Sequence, residues 1–340
     1  MNRELDDLAA AEERRQERSG GQHGHDGPPL HIAGPRSYFG VPWCGDISTL
    51  DAQVALLGVP YDYGTIVPGL RTGSALGPNA VRDTRTYQYV DTDTGEVAQG
   101  WFDIEDEAEY LKGVTMAEVG NVSIIPGEIA GNLERITEVV KRVVARDALV
   151  AAVGGDHSIS FPVGRGMERY ESIDIVHFDA HPDYSDTVGG SKYSHGSQLR
   201  RLSELGFVNN ITMIGIRRST KQVWQDARND GVTIVTSGQL MREGAAAAID
   251  RAVRPSRFLY VSVDTDVLDH GLMPGTTLPE PAGIPYQLLR DSLREVCKKG
   301  RIVGLDLVEL SPPHDFGGVS AHISSWLLVH FLSAVMASQR

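Results

Sequence analysis

The chain has 340 residues, of which 41% are apolar, and a formal net charge of −13 at pH 7. This length and apolar content allow a large buried core. The negative charge argues against nucleic acid or an anionic membrane surface as the main partner. The two cysteines, Cys44 and Cys297, form no metal-binding motif, so we interpret both as reduced structural thiols.

The N-terminal segment, residues 1–29, is polar and charged, and its composition predicts a mobile tail. It contains no apolar stretch like that of a secretion signal, which predicts a cytoplasmic protein. The remainder, residues 30–340, is predicted to form a single domain. Its longest apolar run, residues 324–338, is too short and too interrupted to span a bilayer and predicts a buried helix.

Seven short apolar runs predict strands in the region that follows the tail. Each run is continuously apolar rather than alternating, which is typical of parallel strands that are covered on both faces. In chain order they are residues 54–60, 148–153, 173–178, 211–216, 232–235, 258–263 and 302–308.

Amphipathic helical patterns lie between these runs. Residues 132–146 carry one aliphatic stripe, and Asn132 is a candidate N-cap. Residues 286–299 repeat the pattern and precede Gly300, a candidate C-cap. The alternation of strands and helices predicts an α/β fold, a three-layer αβα sandwich with a mainly parallel sheet.

Three of the predicted strands lead into acidic and histidine residues. "GGDHS" occupies residues 154–158, "DAHPD" residues 179–183 and "DTDVLD" residues 264–269. In open parallel sheets, ligand sites lie outside the carboxyl ends of the strands, so the three segments are expected to meet. One segment alone is also compatible with a solvated turn that holds a helix-capping aspartate.

Spacing selects the candidate metal ligands within these segments. Side chains at i and i+2 of an extended chain point the same way, which pairs the first and third residues of "DAHPD" and of "DTD". Four carboxylates and two imidazoles suit two divalent cations such as Mn²⁺, Ni²⁺, Co²⁺, Fe²⁺ or Zn²⁺. Asp156 is interpreted as a helix cap or a support for a ligand. The candidates are His157, Asp179, His181, Asp183, Asp264 and Asp266.

These motifs, in this order, resemble those of the ureohydrolase family, which includes arginase, agmatinase and related hydrolases of guanidino compounds. The resemblance covers residue 36 to the C-terminus. "GIRRS" (215–219) and the proline-rich stretch after Asp269 are more similar to the agmatinase branch. Further matching segments are "VALLGVPYDYGT" (54–65), "GLRTGSALGPNAVR" (69–82), "SHGS" (194–197) and "GLDLVELSPPHD" (304–315).

The resemblance implies two bound metal ions, Mn²⁺ or Ni²⁺, which make hydroxide available near neutral pH. Two aspartates are implied to bridge the ions, and each ion takes one histidine and one further aspartate. The implied bridges are Asp179 and Asp264, and the implied pairs are His157 with Asp183 and His181 with Asp266.

The resemblance also implies the remaining roles. Asp183 orients the hydroxide, His195 contacts the substrate and protonates the leaving amine, and Glu309 holds the guanidinium through paired hydrogen bonds. The implied reaction cleaves the C–N bond of a guanidino compound to give urea, or a urea-like product, and an amine. The implied assembly is a homo-oligomer, a trimer or hexamer, and a hetero-oligomer is also open.

The chain departs from the family pattern in three loops, where substrate choice is usually made. Relatives commonly have proline at the position of His270 and "PGTGTPEPGG" at residues 274–283, and "SAL" (74–76) lengthens another turn. We therefore predict that His270 and Thr277 contact the substrate. We expect guanidine, an alkylguanidine, a biguanide or a guanidino acid rather than agmatine.

Three alternatives stay open at this point. One is agmatinase activity, and another is a one-metal amidohydrolase on the same fold. The third is a non-catalytic partner subunit of a hetero-oligomeric ureohydrolase. The complete six-ligand set and Glu309 favour an active hydrolase with two metal ions.

Overall fold

The structure is a computed structural model that describes residues 36–67, 69–84 and 101–339. The predicted tail, residues 1–29, lies outside the described residues. The extent of the single domain, residues 30–340, stays a prediction.

Within the residues that the structure describes, ten strands form a large sheet and a small hairpin. The hairpin pairs β2 (Trp101–Asp103) with β3 (Ala108–Tyr110) in antiparallel fashion. The eight strands of the large sheet are β1 (Val54–Val59), β4 (Met116–Asn121), β5 (Leu149–Gly154), β6 (Ile173–Phe178), β7 (Val208–Ile216), β8 (Thr233–Thr236), β9 (Phe258–Asp264) and β10 (Arg301–Val308). All pair in parallel, in the spatial order β4-β1-β5-β10-β9-β6-β7-β8.

All seven predicted strands are present, and β4 is the sheet strand that the apolar pattern missed. Its sequence "MAEVGN" contains Glu118, whose side chain is completely buried. Arg82 neutralises this carboxylate with an ion pair of 2.5 Å. A buried ion pair therefore replaces an apolar side chain in this edge strand, and a pattern based on hydrophobicity does not register it.

Helices cover both faces of the sheet. One face is packed by α2 (Ile129–Val144), α3 (Ser160–Arg165), α4 (Gln198–Ser203) and α5 (Lys221–Asn229). The other face is packed by α1 (Gly77–Asp83), α6 (Ser237–Glu243), α7 (Ala245–Ala252), α8 (Tyr286–Cys297) and α9 (Val319–Ser338). This arrangement confirms the predicted three-layer αβα sandwich.

Two predicted helix caps are wrong. Helix α2 begins three residues before Asn132, which is buried and uses its side chain to bind the backbone N–H and C=O of Ile125. Helix α8 ends at Cys297, and Lys298 rather than Gly300 is its C-cap. Gly300 is required for a different reason, because a Cβ there would lie 2.1 Å from the carbonyl oxygen of Ser256.

Helix α9 contains the C-terminal apolar run. The helix has 20 residues and is therefore longer than the apolar run of residues 324–338. By length and composition alone, it is long and apolar enough to cross a membrane. In the structure α9 packs against the sheet and α8, and side chains such as Leu328, Phe331 and Leu332 belong to the core. It is a core helix of the sandwich.

The four central strands, β5, β10, β9 and β6, are neighbours in the sheet. Because these strands are parallel, their carboxyl ends lie side by side at one edge. The segments that follow them carry the acidic and histidine motifs. The topology therefore brings the three predicted segments, and the segment after β10, to one place.

Candidate metal centre and adjoining pocket

The six predicted ligands lie together at this edge. The Nδ1 atom of His157 is 3.0 Å from an oxygen of Asp264 and 3.1 Å from oxygens of both Asp179 and Asp183. The Nδ1 atom of His181 lies 3.0 Å from Asp266. One end of the cluster is therefore organised around His157 and the other end around His181.

Asp179 joins the two ends. Its Oδ2 atom faces the Nδ1 of His157, while its Oδ1 atom is 3.4 Å from the Nδ1 of His181. Potential ligand atoms gather around two centres, and Asp179 contributes to both. This is the geometry expected of a carboxylate that bridges two cations.

The donor set fits divalent cations. One ring nitrogen carries at most one hydrogen, so Nδ1 of His157 cannot donate to the three carboxylate oxygens that surround it. A cation between them would satisfy all four atoms. Burial first, and the charges of Asp266 and Asp179 next, raise the pKa of Asp264 well above its usual range. Bound cations would remove this electrostatic cost.

Tight turns, rather than continued strands, aim the ligands. Strand β6 ends before Asp179, whose Oδ1 accepts the backbone N–H of His181 at 2.6 Å. Asp264 likewise accepts the backbone N–H of Asp266 at 2.8 Å. The backbone of Asp183 is left-handed, with φ of 47°, so the chain does not stay extended to this residue. The expected i, i+2 pairs are close because of these turns.

A buried hydrogen-bond chain supports His157 from behind. Its Nε2 atom lies 2.9 Å from the hydroxyl of Ser262, which donates to Asp306 at 2.8 Å. The hydroxyl of Tyr260 donates to the other oxygen of Asp306. The chain fixes the ring of His157 so that Nδ1 faces the cluster.

Asp156 is a loop support rather than a member of the cluster. Its side chain accepts the backbone N–H groups of Gly64, at 2.6 Å, and of Ser158, at 3.0 Å. It thereby caps the short 3₁₀ turn that begins at His157 and ties that turn to the loop after β1.

Glu309 follows β10 and lies next to the cluster. Its Oε1 atom accepts the backbone N–H of His157 at 2.6 Å and is 3.5 Å from Nδ1 of His195. Its Oε2 atom accepts the hydroxyl of Thr277. Glu309 has a left-handed backbone, with φ of 66°, and such strain is found at functional sites.

Glu309 also controls the protonation of His195. Burial lowers the pKa of this imidazole, but the hydrogen bond and the charge of Glu309 outweigh burial and raise it to about 9 in the metal-free protein. The pKa of Glu309 is lowered in turn: burial raises it, and the hydrogen bond and charge of His195 outweigh that effect. The pair is therefore an ionised carboxylate beside a protonated imidazole near neutral pH.

These groups line a cavity of about 330 Å³. Thr277 and Leu278 line it as well, and the predicted substrate contact of Thr277 stays a prediction. His270 does not line it. It lies in an exposed turn after β9, where Asp269 accepts the N–H of Gly271. The predicted substrate contact of His270 is therefore corrected.

Two further departures from the family pattern also lie outside the cavity. Ala282 is exposed, with a left-handed φ of 62°. The "SAL" insertion forms a 3₁₀ turn at Ser74–Leu76, and the hydroxyl of Ser74 donates to Asp62. Neither lines the cavity.

The sequence patterns did not point to three residues at the site, which are His177, Arg218 and Glu280. His177 stacks on His157 with 4.9 Å between ring centres, and its Nε2 atom is 3.0 Å from Asp179. It precedes Asp179 by two positions, so the alternation argument would have found it. Arg218 lines the cavity and pairs with Glu280. No spacing signal marks that pair, because it joins segments 62 residues apart.

The fold and site define a hydrolase of the metal-dependent α/β class. A model of the arginase family matches residues 52–334. The chain belongs to the arginase family, as its motifs indicate, and is a ureohydrolase that acts on guanidino C–N bonds.

Individual relatives agree with this assignment. The chain is 31% identical to guanidinopropionase of Pseudomonas aeruginosa over 90% of its own length and 93% of that protein. It is 29% identical to the mitochondrial guanidino acid hydrolase of Homo sapiens, over 84% of its own length and 78% of that protein.

Solved structures show the same fold. Proclavaminate amidino hydrolase from Streptomyces clavuligerus aligns with a TM-score of 0.77 and 24% identity, over 92% of this chain and all of that one. Arginase from Medicago truncatula aligns with a TM-score of 0.67 and 27% identity, over 84% of this chain and 87% of that one.

Proposed function

We propose that this ureohydrolase uses two divalent metal ions to hydrolyse a small guanidino compound that has no second cationic group. One observation carries the proposal: the six candidate ligands lie together beside a carboxylate, Glu309, whose two oxygens are held by Thr277 and by the backbone of His157. The cluster can hold metal, and Glu309 can hold a guanidinium.

The metal site is proposed as Mn²⁺ or Ni²⁺ in two positions. His157 and Asp183 belong to one position and His181 and Asp266 to the other, while Asp179 and Asp264 serve both. Mixed carboxylate and imidazole donors suit such ions. When bound, the ions supply Lewis acidity and hydroxide near neutral pH.

The protein's own residues bind the substrate and move the protons. Oε1 of Glu309 already faces the backbone N–H of His157 and Nδ1 of His195, whereas Oε2 accepts the hydroxyl of Thr277 and keeps a lone pair. Oε2 can therefore accept a guanidinium N–H group, and the charge of the carboxylate attracts the guanidinium. His195, protonated beside Glu309, can deliver a proton to the leaving nitrogen. Asp183, at the cavity wall, can orient the attacking water by accepting its hydrogen.

The carboxylates that line the cavity bear on which substrate charges the site can accept. The carboxylates that line the cavity, among the described residues, are Glu309 and the candidate ligands Asp183, Asp264 and Asp266. A second cation on the substrate would have no lining carboxylate of its own. This supports guanidine, an alkylguanidine, a biguanide or a guanidino acid.

Agmatine is the second candidate, because agmatinase of Bacillus subtilis is 28% identical over 83% of this chain. A role as a non-catalytic partner subunit is less well supported, since the donor set is complete. The trimer or hexamer and the cytoplasmic location expected from the sequence stay predictions.

A urea-release screen tests the function. Protein loaded with Mn²⁺ or Ni²⁺ is assayed with guanidine, alkylguanidines, biguanides, guanidino acids, agmatine and arginine. We expect urea, or a substituted urea, from at least one of the first four classes. No product from any guanidino compound would contradict the proposal.

Elemental analysis tests the two-metal part separately. Fully active protein is expected to contain two ions per chain. Asp264→Asn should lose metal and nearly all activity, because it removes a carboxylate that faces His157. One ion per chain in a fully active preparation would overturn the two-ion assignment while leaving the reaction class intact.

A further inference from the structure

Arg218 is a cation fixed at the wall of the catalytic cavity. It lies two residues after the end of β7, and its backbone N–H donates to the carbonyl of Ala180 at 3.1 Å. Ala180 lies between the candidate ligands Asp179 and His181. The backbone of Arg218 is therefore tied to the loop that forms the metal site.

The side chain of Arg218 is anchored through one nitrogen only. Its Nε atom lies 3.2 Å from both carboxylate oxygens of Glu280. Glu280 in turn is 3.7 Å from Nε2 of His181 and is mostly buried. Glu280 thus sets the direction of the Arg218 side chain relative to the metal site.

Both terminal nitrogens of Arg218 stay available. Neither donates a hydrogen bond to residues 36–67, 69–84 or 101–339. The side chain is 65% exposed, yet Arg218 lines the same cavity as Glu309. The two terminal nitrogens therefore keep N–H donors for a ligand in the cavity that Glu309 also lines.

This arrangement selects the charge of the substrate's non-reacting end. A guanidinium fork matches the two oxygens of a carboxylate and repels an ammonium group. The neighbouring cavity wall, formed by Ser219 and Thr220, is polar and carries no carboxylate. The mouth is therefore suited to an anion, whereas the base of the cavity is suited to a guanidinium.

We propose that Arg218 binds the carboxylate of an ω-guanidino acid and that short guanidino acids are the substrate class of this enzyme. The inference rests on the proposed function, because it assumes that Glu309 holds the guanidinium. Arg218 is a specificity residue for the far end of the substrate and does not take part in bond cleavage.

A purely structural role for Arg218 is the competing explanation. The Arg218–Glu280 pair could simply hold the cavity rim. An ion pair with so exposed an arginine contributes little to stability. A structural role would also affect all substrates alike, whereas carboxylate binding would affect only the acids.

The test compares two substrates that differ mainly in one charge. Urea release is measured for 4-guanidinobutyrate and for propylguanidine, with wild-type enzyme and with Arg218→Gln. We expect KM for the acid to rise about tenfold or more with little change in kcat, because a uniform binding contact is lost. For propylguanidine, kcat/KM should stay within about twofold.

Two further variants sharpen the result. Arg218→Lys keeps the charge but loses the fork, so its KM for the acid should fall between wild type and Arg218→Gln. Arg218→Glu should raise KM for the guanidino acid further and should raise kcat/KM for agmatine. In wild type, KM for the acid should increase with salt, because Arg218 is solvent-exposed and its attraction is screened.

Arg228→Gln is the matched control. Arg228 lies on α5, where it packs over Trp224, and it does not line the cavity. Its replacement removes one positive charge and should leave KM and kcat unchanged for both substrates. Equal losses for both substrates in Arg218→Gln, or an unchanged KM for the acid, would overturn the inference.

Failure of the inference and failure of the proposed function give different results. If wild type hydrolyses propylguanidine but not guanidino acids, the inference is wrong and the ureohydrolase assignment stands. If wild type releases product from neither compound, nor from any other guanidino compound, the proposed function itself is wrong.

Discussion

The backbone N–H of His157 donates a 2.6 Å hydrogen bond to Oε1 of Glu309. A candidate metal ligand and the candidate guanidinium acceptor are thus parts of one rigid unit. The bond joins the segment after β5 to the segment after β10, two neighbouring strands at the centre of the sheet. It fixes the position of the guanidinium site relative to the metal site, which a nucleophilic attack on the guanidinium carbon requires.

Thr277 is expected to hold the other oxygen of Glu309 in place. Thr277→Val removes the hydroxyl that donates to Oε2. Hydrogen bonds to charged groups contribute about 1.5–3 kcal/mol, so kcat/KM for the best guanidino substrate should fall by about tenfold or more. Steady-state urea release checks the loss, and elemental analysis should find the metal content unchanged.

Thr277→Ser is the matched variant for this prediction. It keeps the hydroxyl and should retain most of the activity, whereas valine keeps the branched shape without the donor. Wild-type kinetics in Thr277→Val would show that the hydroxyl does not support Glu309 in the working enzyme.

The charge of Glu309 is expected to set the pKa of His195. In metal-free protein, His195 should titrate near pH 9, because the effect of Glu309 outweighs the effect of burial. Glu309→Gln should move this midpoint to lower pH. Imidazole NMR signals, assigned to His195 by their loss in His195→Asn, measure both midpoints.

The same shift has consequences for stability and turnover. The folded pKa lies above the usual 6.5, so the His195–Glu309 pair stabilises metal-free protein fully below about pH 6.5 and loses its effect as pH rises through about 9.

His195→Asn should keep the metal and the fold but reduce turnover sharply. Wild-type turnover in this variant across pH 6–9 would refute the role in proton delivery.

The sequence predicts the strands well, and it also predicts which acidic and histidine residues lie together, because both follow local rules. Continuous apolar runs locate the parallel strands, and the carboxyl-end rule brings together His157, Asp179 and Asp264. Tertiary pairs are different. Glu118 lies in a strand whose burial depends on Arg82, 36 residues away, and Arg218 acquires its position from Glu280. Such pairs carry no signal in a single sequence.

His270 illustrates the same limit at the pocket. Its departure from the family pattern was visible, but the direction of the turn that carries it depends on the pairing of Leu268 with Ile284 and on the turn at Asp269. In this turn His270 is exposed and does not line the cavity. A change in a loop next to an active site therefore indicates a substrate contact only when the loop's path is known.

Ser262 is expected to control metal affinity through His157. Ser262→Ala removes the group that lies 2.9 Å from Nε2 of His157 and leaves Asp306 with one fewer donor. Loss of such a supporting bond typically weakens metal binding by about 10–100-fold. Competition with a chelator measures the metal Kd of wild type and variant.

Ser160→Ala is the control for Ser262→Ala. The hydroxyl of Ser160 is 3.2 Å from that of Ser262, which in turn contacts the imidazole of His157, so Ser160 is one step further from the metal site. Its replacement should change the metal Kd much less. Equal metal affinity in wild type and Ser262→Ala would mean that the orientation of His157 does not depend on this chain.

The last prediction concerns the buried ion pair that joins α1 to β4. Arg82 contacts Glu118 at 2.5 Å and 3.0 Å and stacks over the ring of Tyr38 at 4.3 Å. Arg82→Met leaves the Glu118 carboxylate buried without its cation. Breaking a buried pair in this way costs about 3–5 kcal/mol, so the free energy of unfolding should fall by that amount.

The pH dependence of this loss identifies its cause. Burial already raises the pKa of Glu118, and Arg82 is the group that opposes the shift, so Arg82→Met should raise this pKa further. A carboxyl with a raised folded pKa destabilises the protein as pH rises above the unfolded value of about 4.5. The loss should therefore be smaller near pH 5 than near pH 8, and adding Glu118→Gln should recover part of it.

Arg36→Gln breaks the exposed pair with Asp83 and should cost no more than about 1 kcal/mol. Urea unfolding followed by circular dichroism measures all four proteins, and a loss in Arg82→Met no larger than in Arg36→Gln would show that the buried pair does not stabilise the edge of the sheet.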